Sequence, residues 1–355
     1  MDAGRSGGRR PNPLAKDIDM RHGRTPFIVG FLFAPVTLYV IYVLVPWVQA
    51  AYYSVTDTTG FSPEYSFVGF SNYLELLKDE VYLRAISHNV VILTVYPIVT
   101  ILLGLFFAFM LNVGGRGNKA GIRGVLGSSV YKFIFFFPQV LSIAIVAVVW
   151  SRVFQSNDGG LVNASLMWLH DHTGGAIGVS REHPLLFFAE SDSLLPRITN
   201  SEGSVIFDAP VVLFCLITVA IWGGVGFYLI LFSAAMQSIP KDIFEAATLD
   251  GSSRVQTFFR VTLPLLRDHV SVAWVYLGIA ALDFYALVLG LTPGIGGPNH
   301  ASEVMSSWMI TNSFRPDRFD AFAYACAMGV SIAILTLLLA AVQLRVTRSR
   351  EKLEF

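Results

Sequence analysis

Apolar residues in this chain gather into six runs with almost no charge, at about residues 27–53, 89–113, 133–151, 210–236, 270–290 and 319–344. Each is long enough, at roughly 20 residues, to carry a helix across a hydrocarbon core. The pattern therefore predicts six membrane-spanning helices. The first run does not read as a cleavable signal peptide, because its apolar stretch is too long and no small-residue cleavage site follows it. Between the fourth and fifth runs lies a different pattern, Ile239 to Leu266, reading IPKDIFEAATLDGSSRVQTFFRVTLPLL. Pro240 suits a first helical turn, where its missing N–H is no loss. Asp242 follows, a carboxylate near the positive end of the helix dipole. Ile243, Ala246 and Ala247 recur at i, i+3 and i+4 and predict one apolar face. Asp250-Gly251 is a turn dipeptide that ends this helix. Val255, Phe258 and Phe259 begin a second amphipathic run, which Pro264 closes. Two short helices with a rigid break, set between two spans, make a docking piece for another protein.

Composition agrees with the pattern: 54% of the residues are hydrophobic, 14% are charged, and the mean hydropathy is +0.59, outside the soluble norm. The formal net charge is zero, but the charges are sorted. With the N-terminus inside, the N-tail, 114–132, 237–268 and the C-tail hold 18 of the 25 Lys and Arg. Fifteen of the 25 acidic residues fall on the opposite segments. That asymmetry follows the positive-inside rule and places both termini and the 239–266 insert in the cytoplasm.

The order Glu245-Ala246-Ala247, a three-residue gap to Gly251, then Leu263-Pro264 resembles the EAA loop of ABC-importer permeases. Ile239-Pro240, Asp250 and Phe258 resemble the carbohydrate-importer branch of that family. Three further segments are similar to motifs of sugar-importer permeases: Phe67-Val-Gly-Phe-Ser-Asn-Tyr with Leu77-Lys-Asp79, Trp150 with Gly160-Leu-Val-Asn163, and Leu291-Thr292 with Gly296-Gly-Pro298. In the last, Pro293-Gly294-Ile295 lengthens the family's gap. The resemblance implies an all-α integral membrane fold of six transmembrane helices, the type I (MetI-like) importer permease. It covers a domain at 27–345, between a basic, disordered cytoplasmic tail (1–26) and a second cytoplasmic tail (346–355). It further implies that Glu245, Ala246, Ala247, Asp250, Gly251 and Pro264 couple the chain to ABC ATPase subunits. ATP and Mg would be bound on that partner, with no cofactor in this chain. A second homologous permease, a solute-binding protein outside, and a sugar, an oligosaccharide or amino sugar, complete the implied partners, in a bacterial plasma membrane.

The remaining chemistry is sparse. Asp283 is the one carboxylate expected deep in a span, where burial in hydrocarbon costs on the order of 2.5–3.5 kcal/mol. It reads either as an acceptor for a sugar hydroxyl or as a structural cap. Aromatic faces and polar side chains bind sugars, so Tyr285, Tyr228, Gln139 and Ser142 are further pathway candidates, with Tyr96, Trp150 and Tyr276 beside them. Each also reads as packing or as an interfacial anchor. Gly223, Gly224 and Gly226 suit close helix packing. Cys215 and Cys326 lie in spans and read as apolar packers. His170 and His172 lack the further ligands a metal site needs and read as part of a solvated loop. The glycine-rich 114–127 segment lacks the G-K-[ST] ending of a phosphate loop. No catalytic motif is present, and nothing implies a nucleic acid. A secondary transporter or channel for a small polar solute is the competing class, but it would not require the patterned insert.

Overall fold

The computed structural model describes residues 28–348, apart from 114–124, 126, 175–178, 181, 189–192, 195–196, 200–204, 293, 295 and 316–317. The two tails and most of the glycine-rich segment lie outside the described residues. Helix α1 (Ile28–Tyr53) is a unit of its own, and the residues from Ser54 onward form a second.

In the second unit, a short helix α2 (Ser71–Leu76) precedes α3 (Glu80–Val113), which begins nine residues before the apolar run from which the span was expected. The third expected span is two helices, α4 (Ser128–Val140) and α5 (Ile143–Val153), bent by 100°. Pro138 cannot donate to the helical ladder, and Leu141 and Ser142 are extended, which breaks the run. Helix α6 (Leu161–His172) and a two-stranded antiparallel hairpin, β1 (Ile198–Thr199) with β2 (Val205–Phe207), stand in the long segment before α7 (Val211–Gln237). The region expected as a plain solvated loop around His170 and His172 is therefore helical up to His172.

The 239–266 insert forms α8 (Lys241–Leu249) and α9 (Arg254–Leu265). Next come α10 (Arg267–Leu282), α11 (Tyr285–Leu291), α12 (Met305–Ser313) and α13 (Ala321–Arg348). The fifth expected span is thus α10 and α11, interrupted at Asp283-Phe284. Among the described residues, four helices are long and apolar enough to cross a membrane, and two bent pairs, α4 with α5 (100°) and α9 with α10 (71°), raise that to as many as six.

Helix α7 is apolar all round and is the centre of the core, packed on α3 and α4. Its approach to α4 depends on Gly226, where an added Cβ would fall on the Phe135 carbonyl. A Cβ added at Gly224 would lie 3.1 Å from the Tyr96 hydroxyl, whereas one at Gly223 would meet open space. Cys215 and Cys326 are buried free thiols, as expected of apolar packers. A second, smaller core joins Leu76 to Tyr82 and Ala85 of α3, Met305 and Trp308 of α12, and Tyr324, Ala327 and Met328 of α13.

One local device recurs. Pro46 in α1 and Pro264 in α9 each follow a π-helical segment, Val40–Leu44 and Phe258–Thr262. The wider i→i+5 turn relieves the clash between a proline ring and the preceding carbonyls. Pro264 sits in the last turn of α9, which ends at Leu265 before a 71° bend into the next helix, so the run closes where the proline is expected to close it.

Candidate functional site

The insert between α7 and α10 has a defined geometry. Pro240 is the residue before the first helical turn, with Lys241 as the first helical position. At the other end the Ser252 N–H reaches the Ala247 carbonyl (3.0 Å) and the Gly251 N–H reaches the Thr248 carbonyl (3.1 Å). These two bonds, with Gly251 at φ +75°, make a Schellman cap. Ser253 then starts α9 through a reciprocal capping box with Gln256. Both helix ends at the break are thus closed by their own hydrogen bonds, so the break is a fixed corner.

The apolar side chains of α8 divide between two faces. Phe244 and Ala247 are buried against the chain, while Ile243, Ala246 and Leu249 face outward. This differs from the single face expected of Ile243, Ala246 and Ala247: Ala247 anchors the helix, and Ala246 lies on the open side. Glu245 is half-buried and Asp250 is exposed, and neither side chain is hydrogen-bonded within the described residues. The corner is tied to the spans through α9, where the Phe258 ring meets Phe109 of α3 at 5.0 Å, near edge-on. An outward apolar strip with a free carboxylate, on a corner anchored to a span, can receive a protein partner and transmit its movement.

The expected pathway residues do not form one cluster. Asp283 caps the broken end of α10 with φ −114°, and its side chain is exposed. Within this chain it is therefore not packed among the helices. The break is held from α3: the Asn89 amide donates to the Ala281 carbonyl (2.9 Å) and accepts from the Met305 N–H (2.8 Å). Tyr96 adds an edge-on ring contact to Phe284 at 5.5 Å. Helix α11, which starts with half-buried Tyr285, packs on α5, which starts beside exposed Ser142. Gln139 is exposed on α4. Tyr228 is 7% exposed, packed where α7 crosses Gly104 of α3, and so reads as core. No hydrogen bond joins the side chains of Asp283, Tyr285, Gln139 and Ser142 among the described residues.

A cluster the sequence did not suggest lies at the first turns of α3. Asp208, just before α7, is fully buried. It receives two hydrogen bonds from Arg84, Nε at 3.1 Å and Nη2 at 2.6 Å, and pairs with His88 Nε2 at 2.7 Å. His88 Nδ1 lies 2.6 Å from the Glu303 carbonyl, and Arg84 also donates to the Asn299 carbonyl at 2.6 Å. Burial pushes the Asp208 carboxyl up, but the hydrogen bonds and charges of His88 and Arg84 outweigh it and hold it at about 2. The Glu303 carboxylate, also buried, accepts from Ser307 at 2.5 Å and pairs with His300 at 3.1 Å. This clasp joins three segments far apart in sequence. Its one sequence signal is the polar stripe Arg84, His88, Asn89 on a helix that continues into an apolar run.

The motif residues have structural work. Asn72 donates to the carbonyls of Ser54 and Thr56, both at 2.9 Å. Asp79 accepts from Trp308 Nε1 (2.9 Å), the Tyr324 hydroxyl (2.8 Å) and the Tyr82 N–H (3.0 Å). Asn163 ties residue 155 to residue 185 through three bonds of 3.0 Å. Gly296 and Gly297 adopt φ +87° and +65°, a turn closed over Glu303 and Ser302.

Comparison with known proteins adds to this geometry. Residues 82–352 match the family described as binding-protein-dependent transport system inner membrane component. The chain is 35% identical over 345 residues to the diacetylchitobiose uptake system permease protein NgcF of Streptomyces coelicolor, covering 96% of this chain and 89% of that protein. It is 29% identical over 321 residues to the multiple sugar-binding transport system permease protein MsmF of Streptococcus mutans, covering 90% and 95%. The fold matches a chain in the crystal structure of a bacterial ABC transporter that imports the acidic polysaccharide alginate, with a TM-score of 0.69 and 21% identity, covering 96% and 99%.

Proposed function

The chain belongs to the family of binding-protein-dependent transport system inner membrane components, and from that membership we propose that it is a permease subunit of an ATP-driven sugar importer. The reading extends to short oligosaccharides or amino sugars, supported by its likeness to permeases of diacetylchitobiose and multiple-sugar uptake systems. A second homologous permease completes the pathway, and a solute-binding protein delivers sugar on the outer side. ATP and Mg are bound by separate ATPase subunits on the cytoplasmic side, where both termini lie.

The observation that carries the coupling is the α8 corner. Its Schellman cap fixes the angle, Phe244 and Ala247 anchor it, and Glu245 stands free beside an outward apolar strip. Each ATPase would receive one such corner, and Asp250, Gly251 and Pro264 maintain its shape. Closing of the ATPases would then move α9 and, through Phe258 and Phe109, the inner end of α3. Along the pathway, Asp283, Tyr285, Gln139 and Ser142 would offer hydrogen bonds to passing hydroxyls. Tyr228 would serve packing.

Glu245→Lys tests this reading in the complete complex reconstituted in vesicles. The variant chain is expected to insert and to assemble with the second permease, while ATP-driven sugar uptake falls to background. Normal uptake by this variant would remove the coupling role from α8.

A further inference from the structure

Helix α2 presents an apolar face that nothing in the second unit covers. Phe67, Phe70, Leu74 and Leu77 are 61–74% exposed, and the last three follow one another at helical spacing along one side. The opposite side is fixed. Asn72 is bonded to two carbonyls, the Tyr73 hydroxyl pairs with Ser54 Oγ at 2.7 Å, and Leu76 is buried in the smaller core. The helix therefore cannot roll to hide its outward face.

Its level relative to the spans is also fixed. Leu76 shares a core with Tyr82 and Ala85, in the first two turns of α3, and with Tyr324, Ala327 and Met328, in the first turns of α13. At about 5.4 Å per turn, α2 lies within roughly 10 Å of where those spans begin. Helix α13 is apolar from Ala321 onward and the apolar run of α3 begins near residue 89, about 10 Å beyond Tyr82, so by composition α2 stands at the edge of the apolar belt. Phe314 and Phe319, both exposed, lie just before α13 and continue the aromatic rim. Glu75, paired with Arg318 at 2.7 Å, and exposed Lys78 follow Leu74 and Leu77 by one position, at the edge of the apolar face. Aromatic and aliphatic side chains at that depth, edged by charge, are the composition of an interfacial helix.

We propose that α2, with Phe67, is a lipid anchor whose Phe70, Leu74 and Leu77 face is seated in the headgroup–acyl boundary of the bilayer. It would fix the height of the α2–α3 corner, and through Asp79 the meeting point of Trp308 and Tyr324. The inference rests on the membrane-spanning architecture and takes only the name of the side, the outer leaflet, from the reading above.

The test is site-directed spin labelling of the assembled transporter in lipid nanodiscs. Leu74→Cys and Leu77→Cys carry the nitroxide, Glu64→Cys is the aqueous control, and collision with oxygen is compared with collision with a water-soluble nickel chelate. Oxygen is expected to exceed nickel at 74 and 77, with the reverse at 64. Nickel exceeding oxygen at 74 and 77 would place the face in water and overturn the proposal. Low access to both reagents would place it under a protein, the second permease or the binding protein, and would also overturn it. The readout requires no transport, so ATP-driven uptake by the same preparation reports on the importer reading separately.

Discussion

At the scale of single residues, the Asp208 clasp has the largest predicted consequence. Its carboxylate is fully buried and compensated by Arg84 and His88. Removing one member of a buried ion pair leaves the others uncompensated, at about 3–5 kcal/mol. Asp208→Ala should therefore lower the melting temperature of the purified complex markedly, although the residue lies outside every expected site. The pH dependence has a definite sign. A carboxyl held at about 2 in the folded protein, against about 3.9 when unfolded, stabilises fully above about pH 4. Its contribution fades as pH falls toward 2. The melting-temperature gap between wild type and Asp208→Ala should accordingly narrow on acidification below about pH 4. A gap that stays constant down to pH 3, or none at neutral pH, would show that the clasp carries no such charge. Beyond the polar stripe of Arg84, His88 and Asn89, sequence carried no sign of this cluster. Arg84 and Asp208 stand among loop charges that look solvated, and their partners are separated by more than a hundred residues.

At the scale of elements, the apolar pattern located four unbroken spans and the two regions where a span is broken, but not the breaks. Long apolar runs report burial from water and are silent about backbone continuity. Hence residues 133–151 and 270–290 read as unbroken, although each is divided in the fold. The two helices and the corner of the insert were legible because their signals are local, a proline and a turn glycine within twelve residues, whereas the division of its apolar side chains between two faces was not. The break at Asp283-Phe284 is sustained from elsewhere by Asn89, 192 positions from Ala281. Asn89→Ala would strand a buried carbonyl and a buried N–H, each costing about 1–3 kcal/mol. Asp283→Asn should cost almost nothing in stability, because the carboxylate is exposed and unbonded within the chain. If Asp283 meets sugar, its variant should alter uptake rates at unchanged melting temperature, while Asn89→Ala lowers the melting temperature itself. Equal melting-temperature losses for both would make Asp283 a structural cap after all.

At the scale of the whole molecule, the proposed function depends on sidedness: if the α8 corner receives an ATPase, it must face the cytoplasm. Charge provides the physical basis. Eighteen of 25 Lys and Arg lie on the tails, 114–132 and 237–268, and translocating short basic loops is disfavoured. The structure adds a constraint that charge alone does not supply: the α8 corner and the Asp208 clasp sit near opposite ends of α3, at Phe109 and Arg84 respectively. The 25 positions from Arg84 to Phe109 rise about 38 Å along α3, more than the roughly 30 Å of the hydrocarbon core, so the two lie on opposite sides of it. One label at each end therefore decides the whole arrangement. Ser252→Cys and Glu64→Cys provide such a pair, against a background of two buried thiols. In vesicles stripped of peripheral subunits, a membrane-impermeant maleimide should modify position 252 only when the cytoplasmic face is outward, and position 64 only in the opposite orientation. Reversed labelling would place the α8 corner outside the cell, where no ATP-driven subunit could engage it.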